Sequence, residues 1–130
     1  MTKKELGQVF YINKEIKMWK KELYELEMKS KVGAQQYKNC GGSQKSDPTA
    51  SAGLKKAALE EKIQTLLLEL QIQREAITEY ILTIDDSLIR QIMYLRHISC
   101  MSWRQIAMEI GGGNTEGSIK MIYHRFFEKN

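Results

Sequence analysis

The sequence predicts an all-α protein: a long antiparallel helical hairpin or coiled coil over residues 1–84, followed by a three-helix domain over residues 85–130. Three observations predict it. Two long stretches repeat apolar residues at alternating spacings of three and four. A single proline leaves almost nothing to break a helix. The last third then changes to shorter amphipathic patterns separated by cap and turn residues.

The first long helix is read over residues 3–30. Ile12, Ile16, Trp19, Leu23 and Leu26 form the a/d seam of a heptad, and Lys and Glu fill the positions between, as in KKELYELE. A second seam runs Leu59, Ile63, Leu66, Leu70, Gln73, Ile77, Tyr80, Ile84. Gln73 is its one polar amide, a device that fixes register or partner number at some cost in stability. Leu67 and Ile81 widen the stripe, as in a helix packed against more than one neighbour.

Between the seams lies KVGAQQYKNCGGSQKSDPTASAG, residues 31–53. It holds Gly-Gly, the proline and many small polar groups, too little apolar surface to offset its ordering entropy, so it reads as a flexible linker. Its length allows the helices to pair within one chain or with those of another copy, as a homo-oligomer. Closing such a loop costs on the order of a few kcal/mol, which favours the local hairpin.

Asp85-Asp86-Ser87 supplies cap-type residues, and three short patterns follow. The first carries Leu88, Ile89, Ile92, Met93, Leu95 and Ile98. The second carries Trp103, Ile106, Ala107 and Ile110, with Ser102 as its N-cap. The third carries Ile119, Ile122, Tyr123 and Phe126, with Asn114 or Thr115 as its cap. Three helices in so short a stretch, two of them joined by a tight turn, have the layout of a helix-turn-helix module.

Net charge is +4 and unevenly spread: residues 57–86 carry −5, while residues 87–130 carry +3. A basic C-terminal third beside an acidic neighbour suits a polyanion at one end. The two cysteines, Cys40 and Cys100, are sixty positions apart, with only His97 and His124 as further metal-type ligands. That spacing makes neither a zinc site nor a disulfide framework, so no metal and a reducing cytoplasm are expected. The start MTKKELGQVFYINKE breaks its apolar run with charge, unlike a secretory signal, and no apolar run approaches the roughly 18 residues of a membrane span. No acid pair, nucleophile–base pair or metal cluster has a catalytic spacing, so neither an enzyme nor a cofactor is expected.

Gly111-Gly112-Gly113 decides between two functions. A Walker-type phosphate loop needs lysine after its last glycine and a strand before it; GGGNTEGS has no lysine and follows an amphipathic helix. GxGxxG fails too, since Glu116 stands where the last glycine belongs. A helix-turn-helix instead needs a small residue where its helices cross, a left-handed glycine at the turn, and an aliphatic residue closing the second helix. Ala107, Gly113 and Ile119 supply these, with Gly111 and Gly112 as a two-residue extension.

With Ile119, Ile122 and Phe126 turned inward, the outward face carries Thr115, Glu116, Gly117, Ser118, Lys120, Met121, His124 and Arg125. Lys120 and Arg125 suit phosphate or guanine, His124 phosphate, and Thr115, Glu116 and Ser118 base edges or backbone near the helix start. Met121 shares that face, and Arg96 and Arg104 add flanking charge. The plainer alternative is a solvated face on a structural helical pair. Trp103 and Met101 read as core.

Residues 85–111, DDSLIRQIMYLRHISCMSWRQIAMEIG, followed by TEGSIKMIYHRFFEK at 115–129, resemble the region 4 helix-turn-helix of bacterial sigma factors. The likeness rests on the acidic start, Tyr94-Leu95-Arg96, Ser102-Trp103 leading to Ile106-Ala107, and Ile119-Lys120. The whole chain is similar in architecture to the small sigma-region-4-like proteins of phages and prophages of Gram-positive bacteria, including late-transcription regulators of the RinA and ArpU kind. Two departures stand out: the triple glycine lengthens the usual turn, and Ser118, Met121 and Tyr123 occupy positions where the family tends to carry arginine, glutamate and glutamine.

The resemblance implies a DNA-binding transcription regulator whose partner is double-stranded DNA. Two other roles stay open: a protein-interaction module that docks RNA polymerase or a partner chain, and the small subunit of a phage DNA-packaging machine.

Overall fold

The computed structural model describes residues 1–40 and 48–129, with side chains described outside 30–50 and 52. Among them the regular structure is entirely helical: α1 (Lys3–Leu6), α2 (Gln8–Cys40), α3 (Pro48–Leu82), α4 (Ser87–His97), α5 (Trp103–Ile110) and α6 (Glu116–Lys129). No helix of the described residues is long and apolar enough to cross a membrane.

The long helices differ from the sequence reading at both ends. The single helix expected over 3–30 is interrupted at Gly7, which stays right-handed at φ −74° and bonds its N–H to the Lys3 carbonyl. Thr2 caps α1 through a reciprocal box: its hydroxyl accepts from the Glu5 N–H, and the Glu5 carboxylate accepts from the Thr2 N–H. At the other end α2 continues to Cys40 and α3 begins at Pro48, so helix occupies both flanks of the stretch read as a linker. Its centre, residues 41–47, lies outside the described residues, as does the Cys40 side chain. Proline is tolerated in a first helical turn because the N–H it lacks would have no partner there.

The chain divides into two compact units. One spans residues 13–69. Among the described residues its buried side chains are heptad positions: Ile16 on α2, and Ile63 and Leu66 on α3. Trp19, Leu23 and Leu26 are half-buried on the same stripe. An ion pair between Lys56 Nζ and Glu27 Oε1, at 3.2 Å, ties α3 to α2. Leu67 does not widen this core; it is 36% exposed, and Leu68 is more exposed still.

The other unit joins residues 1–12 to residues 70–130. Here α4, α5 and α6 pack pairwise on one another. Residues 1–12 and 70–84 thus share a compact unit with the three short helices. Leu6 and Val9 are fully buried, with Ile12 close behind, and Leu70, Ile77, Ile81 and Ile84 complete the long-helix contribution. Full burial stabilises such side chains by about 1.5–3 kcal/mol each, enough to fix a four-residue helix that could not form alone.

The caps expected of the short helices are present. Asp86 accepts from the Leu88 and Ile89 N–H groups at the start of α4. Ser102 and Gln105 form a second reciprocal box at the start of α5.

Candidate nucleic-acid interface

Three consecutive left-handed residues make the turn between α5 and α6. Gly111, Gly112 and Gly113 have φ of 65°, 62° and 79°. A Cβ built on any of them would clash with nothing, so backbone conformation alone demands glycine here. Gly111, the C-cap of α5, has ψ −144°, which puts it in a region that side chains forbid. Asn114 closes the turn by donating from Nδ2 to the Gly111 carbonyl at 2.8 Å.

Helix α6 then starts at a pair of reciprocal hydrogen bonds. The Thr115 hydroxyl accepts from the Ser118 N–H at 3.1 Å, while the Ser118 hydroxyl accepts from the Thr115 N–H at 2.9 Å. Thr115 is thus the N-cap, and Ser118 spends its hydroxyl on the cap, also donating to the Thr115 carbonyl. These two residues build the start of the helix before they offer anything to a ligand.

The inner stripe of α6 is Ile119 and Tyr123, both buried; Ile122 and Phe126, expected inside, are half-buried. Ile106 and Ala107 of α5 are buried with them. On the outside, Thr115, Glu116, Met121, His124 and Arg125 are exposed, Ser118 and Lys120 half-buried, and Arg104 of α5 is exposed. Lys120 reaches back one turn to Glu116 at 3.5 Å, with both side chains about half exposed. Such a pair holds weakly and yields its cation readily to a stronger anion. Among the described residues neither Arg125 nor Arg104 has a carboxylate within ion-pair distance.

Behind this face lies an aromatic cluster. The Trp103 ring meets Tyr123 edge-on at 4.9 Å and the Arg96 guanidinium at 4.3 Å. Arg96 also donates to the Met101 carbonyl, so it clamps the α4–α5 connection, where Cys100 takes a positive φ of 55°. Its charge serves the fold more than the surface.

Two residues with no site role in the sequence pattern connect the elements. His97 is 7% exposed; its Nε2 lies 3.0 Å from the Tyr123 hydroxyl, and a backbone hydrogen bond joins the ring to Leu6. Burial, helped by the adjacent Arg96, pushes this imidazole down to about 4, outweighing the Leu6 bond, which favours the charged form. Burial pushes the Tyr123 hydroxyl up, against the attraction of Arg96. Tyr123 therefore stays a phenol and His97 a neutral ring, joining α1, α4 and α6. The second is Lys3. Its Nζ lies 3.0 Å from Nδ1 of His124 and within 6 Å of the Tyr123 and Phe127 ring centres.

A residue pattern pointed to the segment that carries Lys3, though not to Lys3 or His97 themselves. The apolar stripe continues backward from Ile12 through Val9 to Leu6, and Thr2 to Glu5 has the spacing of a capping box.

Among the described residues no three His, Cys, Asp or Glu side chains converge as a metal would require. No protein family, curated protein or solved structure matches the chain.

Proposed function

We propose that this chain is a helix-turn-helix DNA-binding transcription regulator, with α5 and α6 as the motif, α2 and α3 as an antiparallel hairpin, and α6 as the helix that enters the major groove. A place among the sigma-region-4-like regulators of phages and prophages belongs to the same proposal, on the motifs at residues 85–111 and 115–129. The observation that carries it is the two-faced α6: Ile119 and Tyr123 are buried, whereas Met121, His124 and Arg125 are exposed and Lys120 half-buried on one contiguous side. A helix anchored along one edge, starting from a glycine turn closed by Asn114 and presenting cations along the other, has what groove entry requires.

The mechanism follows from those groups. Lys120 and Arg125 neutralise phosphates and release counterions, so affinity falls steeply with salt. Exchange of Glu116 for a phosphate as the partner of Lys120 loses little, because that ion pair is solvent-screened. Met121 lies between the cations and offers an apolar contact of the kind a thymine methyl accepts.

The test is fluorescence anisotropy on a labelled mixed-sequence duplex, titrated with salt, for the wild type and for Lys120→Ala combined with Arg125→Ala. The wild type binds at low salt, and the double variant loses about two units of the log–log salt slope. No binding at low salt, or a variant matching the wild type, refutes the proposal.

A second reading has its own observation. Leu82 and Met108 are 73% and 75% exposed, Tyr94 is 44% exposed, and a shallow groove of about 380 Å³ lies between Ile81, Leu82, Tyr94, Leu95 and Ile110. Apolar surface so placed suits a protein partner such as an RNA polymerase subunit. Purified polymerase binding that Leu82→Asp abolishes, with no affinity for duplex DNA, would favour that reading.

A further inference from the structure

The feature left unexplained is Lys3. It belongs to a segment that the sequence assigns to a coil, yet it sits against the exposed side of α6, 121 positions away. We propose that Lys3 and His124 together form a phosphate-binding pair, making the N-terminal segment part of the DNA interface; the inference rests on the DNA-binding reading of α6.

Consider first the chemistry of the contact. An ammonium group has three donors and no acceptor, so Nδ1 of His124 accepts from Lys3 at 3.0 Å. The His124 ring then presents an N–H at Nε2, and Lys3 keeps two further protons for other acceptors. Both residues are exposed. Among the described residues no carboxylate lies within ion-pair distance of Lys3. A cation resting on a neutral nitrogen and on the faces of two rings is held in place without being neutralised. One phosphate can take the His124 N–H and a Lys3 N–H together. At this point of α6 the positive charge comes from Lys3, where the sequence alone offered only His124 as a phosphate contact.

Lys3 is also held in advance of binding. Thr2 and Glu5 box the start of α1, Leu6 and Val9 are fully buried, and His97 bonds the Leu6 backbone. An arm already ordered loses little entropy on binding, which separates it from a trailing basic tail. His124 follows Lys120 by one helical turn, a rise of about 6 Å, so Lys120, His124 and Lys3 form a row along one flank of α6. Arg125 stands about 100° further round the helix. The two flanks of a groove-bound helix face the two phosphate backbones, and Lys3 extends the row on one of them.

The neighbouring acids work against the pair without cancelling it. Asp85 and Asp86 line an open groove of about 930 Å³ together with Lys3 and Lys4. Asp86 accepts two N–H groups at the start of α4, which absorbs part of its charge. Among the described residues neither Asp85 nor Asp86 is within ion-pair distance of Lys3.

The experiment is the anisotropy salt titration on a mixed-sequence duplex, with full-length wild type, Lys3→Met, Lys3→Gln and Lys3→Arg. Thermal melts are recorded beside each. Lys3→Met keeps the aliphatic stem over the rings and removes only the charge. It is expected to weaken binding severalfold whatever the duplex sequence, and to lower the salt slope by about one. Lys3→Gln repeats the result, and Lys3→Arg restores the slope. A merely structural role would lower the melting temperature and leave the slope alone. Wild-type slopes in both neutral variants overturn the inference while the DNA reading stands. Tighter binding by Lys3→Met also overturns it, by showing that the arm blocks the face. A wild type that binds no duplex at low salt overturns the DNA reading and this inference with it.

Discussion

Acidification loosens the C-terminal unit through His97, and the size of the effect follows from its burial. The ring is neutral in the fold and drops from 6.5 to about 4 on folding. The unfolded chain therefore takes up a proton first, at about pH 6.5, and the folded chain resists until about pH 4. Stability rises with pH wherever the unfolded state holds more protons, so the loss runs downward through that window. About 2.5 pH units at 1.36 kcal/mol each gives about 3 kcal/mol, complete below about pH 4. The assay is urea unfolding followed by Trp103 fluorescence in a Trp19→Phe background, since Trp19 belongs to the other unit. Carboxylates begin to protonate in the same range. The readout is therefore the stability of the parent minus that of His97→Gln, which has no titrating ring. That difference should shrink by about 3 kcal/mol between about pH 7 and pH 4. A difference that stays constant with pH refutes the reasoning, because His97 would then be no more buried or constrained than in the unfolded chain.

Two further expectations concern the turn and the helix it positions. Gly111→Ala places a side chain at φ 65°, ψ −144° and should cost about 1–3 kcal/mol, read from the shift of the urea midpoint; an unchanged midpoint would show that the turn relaxes freely. Ile119→Ala removes a fully buried side chain from the inner stripe of α6 and should cost about 2–5 kcal/mol; a smaller loss would mean that α6 is held elsewhere.

Much of this fold was legible because its signals are local. The a/d spacing of the seam from Leu59 to Ile84 placed Ile63, Leu66, Leu70, Ile77 and Ile84 inside the core, with Leu59, Gln73 and Tyr80 half-buried, and the caps at Asp86 and Ser102 fell where a side-chain oxygen precedes an apolar pattern. The glycine turn was equally readable, since only conformational need explains three consecutive glycines before a cap residue. What escaped was long-range. The packing of Leu6 and Val9 into the C-terminal unit depends on where the chain returns, which periodicity does not encode. Lys3 reads locally as one more solvated lysine on a heptad helix, and only the fold brings it to His124. His97 had the ordinary look of a polar residue at a helix end, whereas its burial depends on α1 and Tyr123 closing over it. The linker was overdrawn for the opposite reason: its small polar composition suggested a loop, but helix continues to Cys40 and resumes at Pro48.

The outward face of α6 is examined most directly by an amide NMR titration of the full chain with a mixed-sequence duplex at low salt. Duplex binding through this helix would shift the amides of residues 115–125 first, with residues 2–4 moving in the same concentration range. Shifts confined to α2 and α3, or no shifts at saturating duplex, would contradict the account.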